Sequence, residues 1–121
     1  MTEVEHIVEA LRIVESSGSQ SITLIGDQGR ALGPWQLHPD FLAQWYQPVV
    51  GDTWLEAMEK AATGCVQHYV DEGLTPFDVA QIFHLGYAGW RDGGPDKNYG
   101  LRFAIAYNCG GIIPTNREEK E

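Results

Sequence analysis

Val14-Glu15-Ser16-Ser17-Gly18 and, a little further on, Gly26-Asp27-Gln28-Gly29-Arg30-Ala31-Leu32-Gly33-Pro34-Trp35-Gln36-Leu37 are the two stretches from which the rest of the chain is read. Upstream of the first, Val4, Ile7, Val8, Leu11 and Val14 recur at helical spacing, which turns one face of an opening helix toward a core. Glu15 falls on the last turn of that helix. Ser16-Ser17-Gly18-Ser19 supplies the stop, since Gly takes the left-handed conformation that closes helices. Ser21-Ile22-Thr23-Leu24-Ile25 is a β-prone run that meets the turn signal Gly26-Asp27-Gln28-Gly29, so a small, irregular hairpin is expected. Gly33-Pro34 breaks the chain once more.

Downstream the pattern is helical. Pro39-Asp40 leads into a short helix over 41–45 that ends before Pro48. A longer helix begins at Asp52 or Thr53 and runs to Gly73, with Trp54, Ala57, Met58, Ala61, Cys65, Tyr69 and Val70 turned inward. Thr75-Pro76-Phe77-Asp78 is a capped start for a helix that carries Val79, Ile82 and Phe83 inward. Residues 86–94 are glycine-rich around Tyr87 and Trp90, which predicts a loop. A last helix over about 98–107 buries Leu101, Phe103 and Ile105. The expectation is one α+β domain, mainly α-helical with a small early β-hairpin, over residues 1–115, followed by a polar tail, 116–121, with no apolar anchor.

Composition narrows the function. The 121 residues suit one compact domain, and 43% hydrophobic residues with four Trp, five Tyr and four Phe is globular composition. No segment approaches the roughly 20 apolar residues of a transmembrane helix. Eight Lys and Arg against 17 Asp and Glu give a net charge of −9, which argues against a nucleic-acid or anionic-membrane partner. Two cysteines, Cys65 and Cys109, are too few for the disulfide framework of small secreted hydrolases; they read equally as a pair or as two free thiols. Met1-Thr2-Glu3-Val4-Glu5 has two acids and no Lys or Arg, unlike a secretory signal.

Two carboxylates stand out chemically. Cleaving a glycosidic bond requires a carboxylic acid to protonate the leaving oxygen, and commonly a second carboxylate to stabilise the cation, attack it or activate water. Glu15, at a helix C-terminus and next to apolar Ile13-Val14, meets burial and the negative end of the helix dipole, both of which favour its protonated form. Asp27, in a polar glycine turn, sits where solvent and backbone N–H groups favour the anion. Taken singly, a Glu ending a helix also reads as a solvated surface residue, and an Asp between glycines as a turn former.

The order of these motifs resembles the lysozyme superfamily, and in particular the invertebrate-type lysozymes and their bacterial and phage relatives. That family places an acid Glu in a Glu-Ser-Gly context, then an Asp on the β-hairpin, then a Gly-x-x-Gln step; Glu15, Asp27 and Gly33-Pro34-Trp35-Gln36 match in order and spacing. Soluble lytic transglycosylases and goose-type lysozymes share the Glu-Ser and Gly-x-x-Gln elements. A looser match is Ile82-Phe83-His84-Leu85-Gly86-Tyr87, which is similar to the family's Ile-His-Asn-Gly-Gly segment, although Leu85 stands where the family has Asn. The resemblance covers about residues 4–107 and is strongest over 14–37.

What the resemblance implies is a lysozyme-like fold and a muramidase that cuts β-1,4 bonds of peptidoglycan, with Glu15 and Asp27 catalytic and activity at the cell wall, periplasmic or extracellular. Gln36 is then a candidate sugar contact or a buried amide, and His84 a candidate ligand residue or a histidine bonded to backbone. Trp35, Tyr87, Trp90 and Tyr99 are candidates to stack on sugar faces, or core. The acidic surface suits cationic chitosan better than an anionic wall. Two other readings stay open: a lytic transglycosylase using Glu15 as acid and base, and a catalytically silent glycan-binding module. His6, His38, His68 and His84 form no metal-ligand spacing with the cysteines, so neither metal nor cofactor is expected.

Overall fold

A computed structural model of the chain describes residues 1–17, 24–26 and 29–109. Asp27, most of the β-prone run before it, and the tail 116–121 lie outside the described residues. The elements in order are α1 (Glu3–Ser16), β1 (Ile25–Gly26), β2 (Ala31–Leu32), α2 (Pro39–Trp45), α3 (Trp54–Asp71), α4 (Pro76–Leu85), α5 (Tyr87–Gly93) and α6 (Lys97–Cys109). The protein is mainly helical, with a two-stranded antiparallel sheet that pairs Ile25 with Leu32 and Gly26 with Ala31.

Helix starts follow from side-chain caps. Thr2 and Glu5 form a reciprocal capping box at α1, and Thr53 and Glu56 form another at α3. Thr75 accepts the Asp78 N–H at α4, with Pro76 in the first turn. At the other end of α1 Ser17 is left-handed, with φ of 57°, and its N–H returns to the Ile13 carbonyl at 2.8 Å.

The core forms where α1 packs on α3 and α6, with α4 closing against α3 and α6. Ile7, Leu11, Val66, Val79 and Phe103 are fully buried there, each burial favouring the fold by about 1.5–3 kcal/mol. Two inward assignments fail. Trp54, the first residue of α3, is 65% exposed, and Leu101 of α6 is 62% exposed. In α6 the buried residues are Tyr99, Phe103 and Ala106, at i, i+4 and i+7. Leu101 lies two residues from both Tyr99 and Phe103, on the opposite side of the helix, whereas Ile105 is half-buried. The expected loop over 86–94 is also corrected: residues 87–93 form α5, whose Tyr87 and Trp90, one turn apart, have ring centres 5.8 Å apart.

After β2 the chain doubles back through Gly33-Pro34-Trp35-Gln36. The Leu32 and Leu37 backbones exchange hydrogen bonds of 2.9 and 2.8 Å around this turn. Gly33 takes φ of 76°, and a Cβ there would lie 2.4 Å from Met58 Sδ, so the turn fits against α3 only without a side chain. Trp35 enters the core and its indole N–H donates to the Val8 carbonyl at 2.9 Å, fastening the turn to α1.

Candidate active site

Glu15 lies one turn beyond Leu11 and two beyond Val8, so the face that builds the core carries its side chain inward at the helix end. Helix α6 supplies its partners. Tyr99 Oη donates to Glu15 Oε2 at 2.7 Å, and one turn later the Arg102 guanidinium donates to the Val14 carbonyl at 2.8 Å, occupying one of the carbonyls that the end of α1 leaves unpaired.

Burial raises the proton affinity of the Glu15 carboxyl above that of an ordinary glutamate. The Tyr99 hydrogen bond and the charges of His84, Arg102 and His38 pull the other way, and burial prevails. Tyr99 is held well above the usual phenol range by its own burial and by Glu15, so it remains a donor.

Glu15 opens on a cleft of about 440 Å³, lined also by Ala31, Gln36, Leu37, His38, Phe41, Phe83 and His84. The hairpin contributes Ala31, the turn contributes Gln36, and α4 contributes Phe83 and His84. A smaller hollow of about 180 Å³ shares Phe41 and Phe83 with this cleft and continues to Trp45, Tyr69 and Tyr87.

No family model, curated protein or solved structure matches the chain.

Of the residues singled out in the sequence, the fold brings Glu15, Gln36, His84 and Tyr99 to one place. Gln36 is in the left-handed region at φ of 51°, and its amide donates to the Gly33 carbonyl at 2.8 Å while the side chain lines the cleft wall. Gly26 faces it closely, since a Cβ there would lie 2.2 Å from Gln36 Oε1 and would displace the amide. His84 lies flat on Tyr99, with ring centres 3.9 Å apart and planes 3° apart, and its Nε2 pairs with Asp96 Oδ2 at 3.0 Å. The backbone bond considered for His84 is replaced by this carboxylate.

The stacking roles separate. Trp35, 3% exposed, has no ring face open to a ligand, and Tyr99 is buried with its phenol spent on Glu15. Tyr87 is exposed at the second hollow, parallel to Tyr69 at 6.0 Å, with Arg91 over its ring at 5.5 Å. Asp27 follows β1 directly but lies outside the described residues.

Sequence reading missed His38, Phe41, Arg102 and Asp96. One signal for Asp96 was available: an Asp after Pro95 and three residues before Tyr99 is a helix N-cap pattern. Its Oδ1 does accept the Tyr99 N–H, at 3.1 Å.

Among the described residues no group of three or more His, Cys, Asp or Glu is arranged to hold a metal ion. The cysteines are two free thiols, Cys65 buried and Cys109 exposed. Burial pushes the Cys65 thiol up to about 12, so it carries no thiolate at neutral pH.

Proposed function

We propose that the chain is a lysozyme-like glycoside hydrolase that cuts β-1,4 bonds of peptidoglycan or a related aminosugar polymer, with Glu15 donating the proton to the leaving oxygen. The observation that carries the reading is a carboxyl that favours its protonated form, oriented by a buried phenol at the floor of an open cleft. The resemblance of residues 14–37 to the lysozyme superfamily gives the substrate class, and Asp27 is the proposed second carboxylate. The exposed aromatic ring of Tyr87 in the adjoining hollow suits the apolar face of a further sugar.

A lytic transglycosylase is the second reading. It needs Glu15 alone, acting as acid and then as base, and Glu15 lines the cleft. Mass analysis of fragments released from purified peptidoglycan by wild type and Glu15→Gln separates the readings. Reducing-end muropeptides from wild type alone support hydrolysis, and anhydro ends from wild type alone support the transglycosylase. No product from peptidoglycan or chitin oligomers, combined with measurable glycan binding, contradicts both and leaves a binding module.

A further inference from the structure

Asp96 sits outside the cleft lining, yet hydrogen bonds to both α4 and α6 fix it between the two helices. Its backbone N–H donates to Gln81 Oε1 at 3.0 Å and its carbonyl accepts from Gln81 Nε2 at 2.9 Å, so one buried amide of α4 grips both sides of the residue. Oδ1 accepts the Tyr99 N–H that opens α6, and Oδ2 holds His84 on α4. The close approach at this point depends on Gly100, where a Cβ would lie 2.8 Å from Gln81 Nε2.

We infer that Asp96 is a positioning residue for Glu15: by holding the His84 imidazole flat against the Tyr99 ring, it keeps the phenol aimed at Glu15 Oε2. A partly exposed ion pair such as His84–Asp96 contributes little to stability. Its effect here is geometric. The Tyr99 ring is confined on one face by a parallel imidazole that is itself tied to the residue capping the same helix. A displaced imidazole would free the ring to turn about its side-chain torsions and lengthen the 2.7 Å bond to Glu15.

The consequence for turnover rests on the glycosidase reading, whereas the titration of Glu15 does not, so the test is a 13C NMR titration of the Glu15 carboxyl in the full-length protein. The charged and titratable groups facing that carboxyl are Tyr99, His84, Arg102 and His38. Asp96→Ser retains a good helix N-cap but cannot reach His84. Losing the Tyr99 bond raises the Glu15 titration midpoint, and removing the Asp96 negative charge lowers it; a weakened His84 charge also raises it but would add to the effect of Tyr99→Phe, so the sign and the double variant together separate positioning from electrostatics.

The expected result is an upward shift in Asp96→Ser, a similar one in Tyr99→Phe, and no further rise in the double variant. Asp96→Asn, which keeps both contact atoms in place but removes the charge, shows no upward shift. An unchanged or lowered midpoint in Asp96→Ser, additive shifts in the double variant, or an unshifted Tyr99→Phe each overturns the proposal. Activity assays on the same proteins then test the glycosidase reading separately.

Discussion

Two adjoining hollows share Phe41 and Phe83 and differ in everything else that matters to chemistry. The larger holds Glu15, His38 and His84; the smaller is walled by Trp45, Tyr69, Tyr87 and uncharged neighbours such as Gln44 and Cys65. In the first, burial and a phenol tune a proton. In the second, aromatic rings offer area and no acid. On the proposed glycosidase reading the contrast separates bond cleavage from grip: the end of α1 and the start of α6 meet at the first hollow, while α2, α3, α4 and α5 frame the second.

The sharpest way to break this division is Glu15→Gln. It lowers turnover by about 10²–10⁴-fold, the usual contribution of a general acid, with the far-UV spectrum unchanged. It also has a stability signature. Because burial raises the folded-state pKa of Glu15 above its unfolded value, the stabilisation from its bound proton is fully present below the unfolded value and lost as pH rises through the folded one. The melting temperature of Glu15→Gln relative to wild type therefore increases from pH 4 to pH 7. A flat difference across that range contradicts the burial argument.

Tyr99→Phe acts on the same hollow with a smaller effect. It leaves Glu15 acidic but unoriented, so kcat falls by roughly tenfold, the scale of one hydrogen bond, and the alkaline limb of the pH–rate profile moves to higher pH. Tyr87→Ala touches only the second hollow. KM for a long glycan rises about two- to tenfold, as expected for one lost stacking contact, with kcat and the pH limb unchanged; a moved limb would erase the distinction between the hollows. Leu101→Gln is the smallest change, because this exposed side chain belongs to neither hollow. Its effect on the unfolding free energy, read by thermal melting, stays within about 0.5 kcal/mol.

The parts of the molecule that were legible in sequence are those governed by local rules. Apolar spacing places α1, α3 and α4, and Thr53 and Thr75 mark helix starts because their hydroxyls replace missing backbone partners. Glu15 was legible for the same reason, being the polar residue that continues an apolar face to a helix end.

What was not legible depends on tertiary contacts. Glycines 86, 89, 93 and 94 argue for a loop, and the packing of Tyr87 on Tyr69 and Trp90 overrides them. Leu101 is the more hydrophobic choice, yet α6 is rotated to put Tyr99 and Phe103 inward, because Tyr99 meets Glu15 at the end of α1. Trp35 resembled a sugar platform only until the Gly33 turn directed it into the core. The His84–Asp96 pair joins α4 to the start of α6 across α5, and no spacing rule anticipates it.

The most direct test of the central claim is the pH dependence of kcat/KM on purified peptidoglycan, measured beside the NMR titration of the Glu15 carboxyl in the free protein. The account predicts that activity falls on the alkaline side at the pH where Glu15 loses its proton, above the ordinary glutamate range, since kcat/KM reports the ionisation of the free enzyme's acid. An alkaline limb that does not coincide with the Glu15 titration, or one that persists at full height in Glu15→Gln, contradicts it.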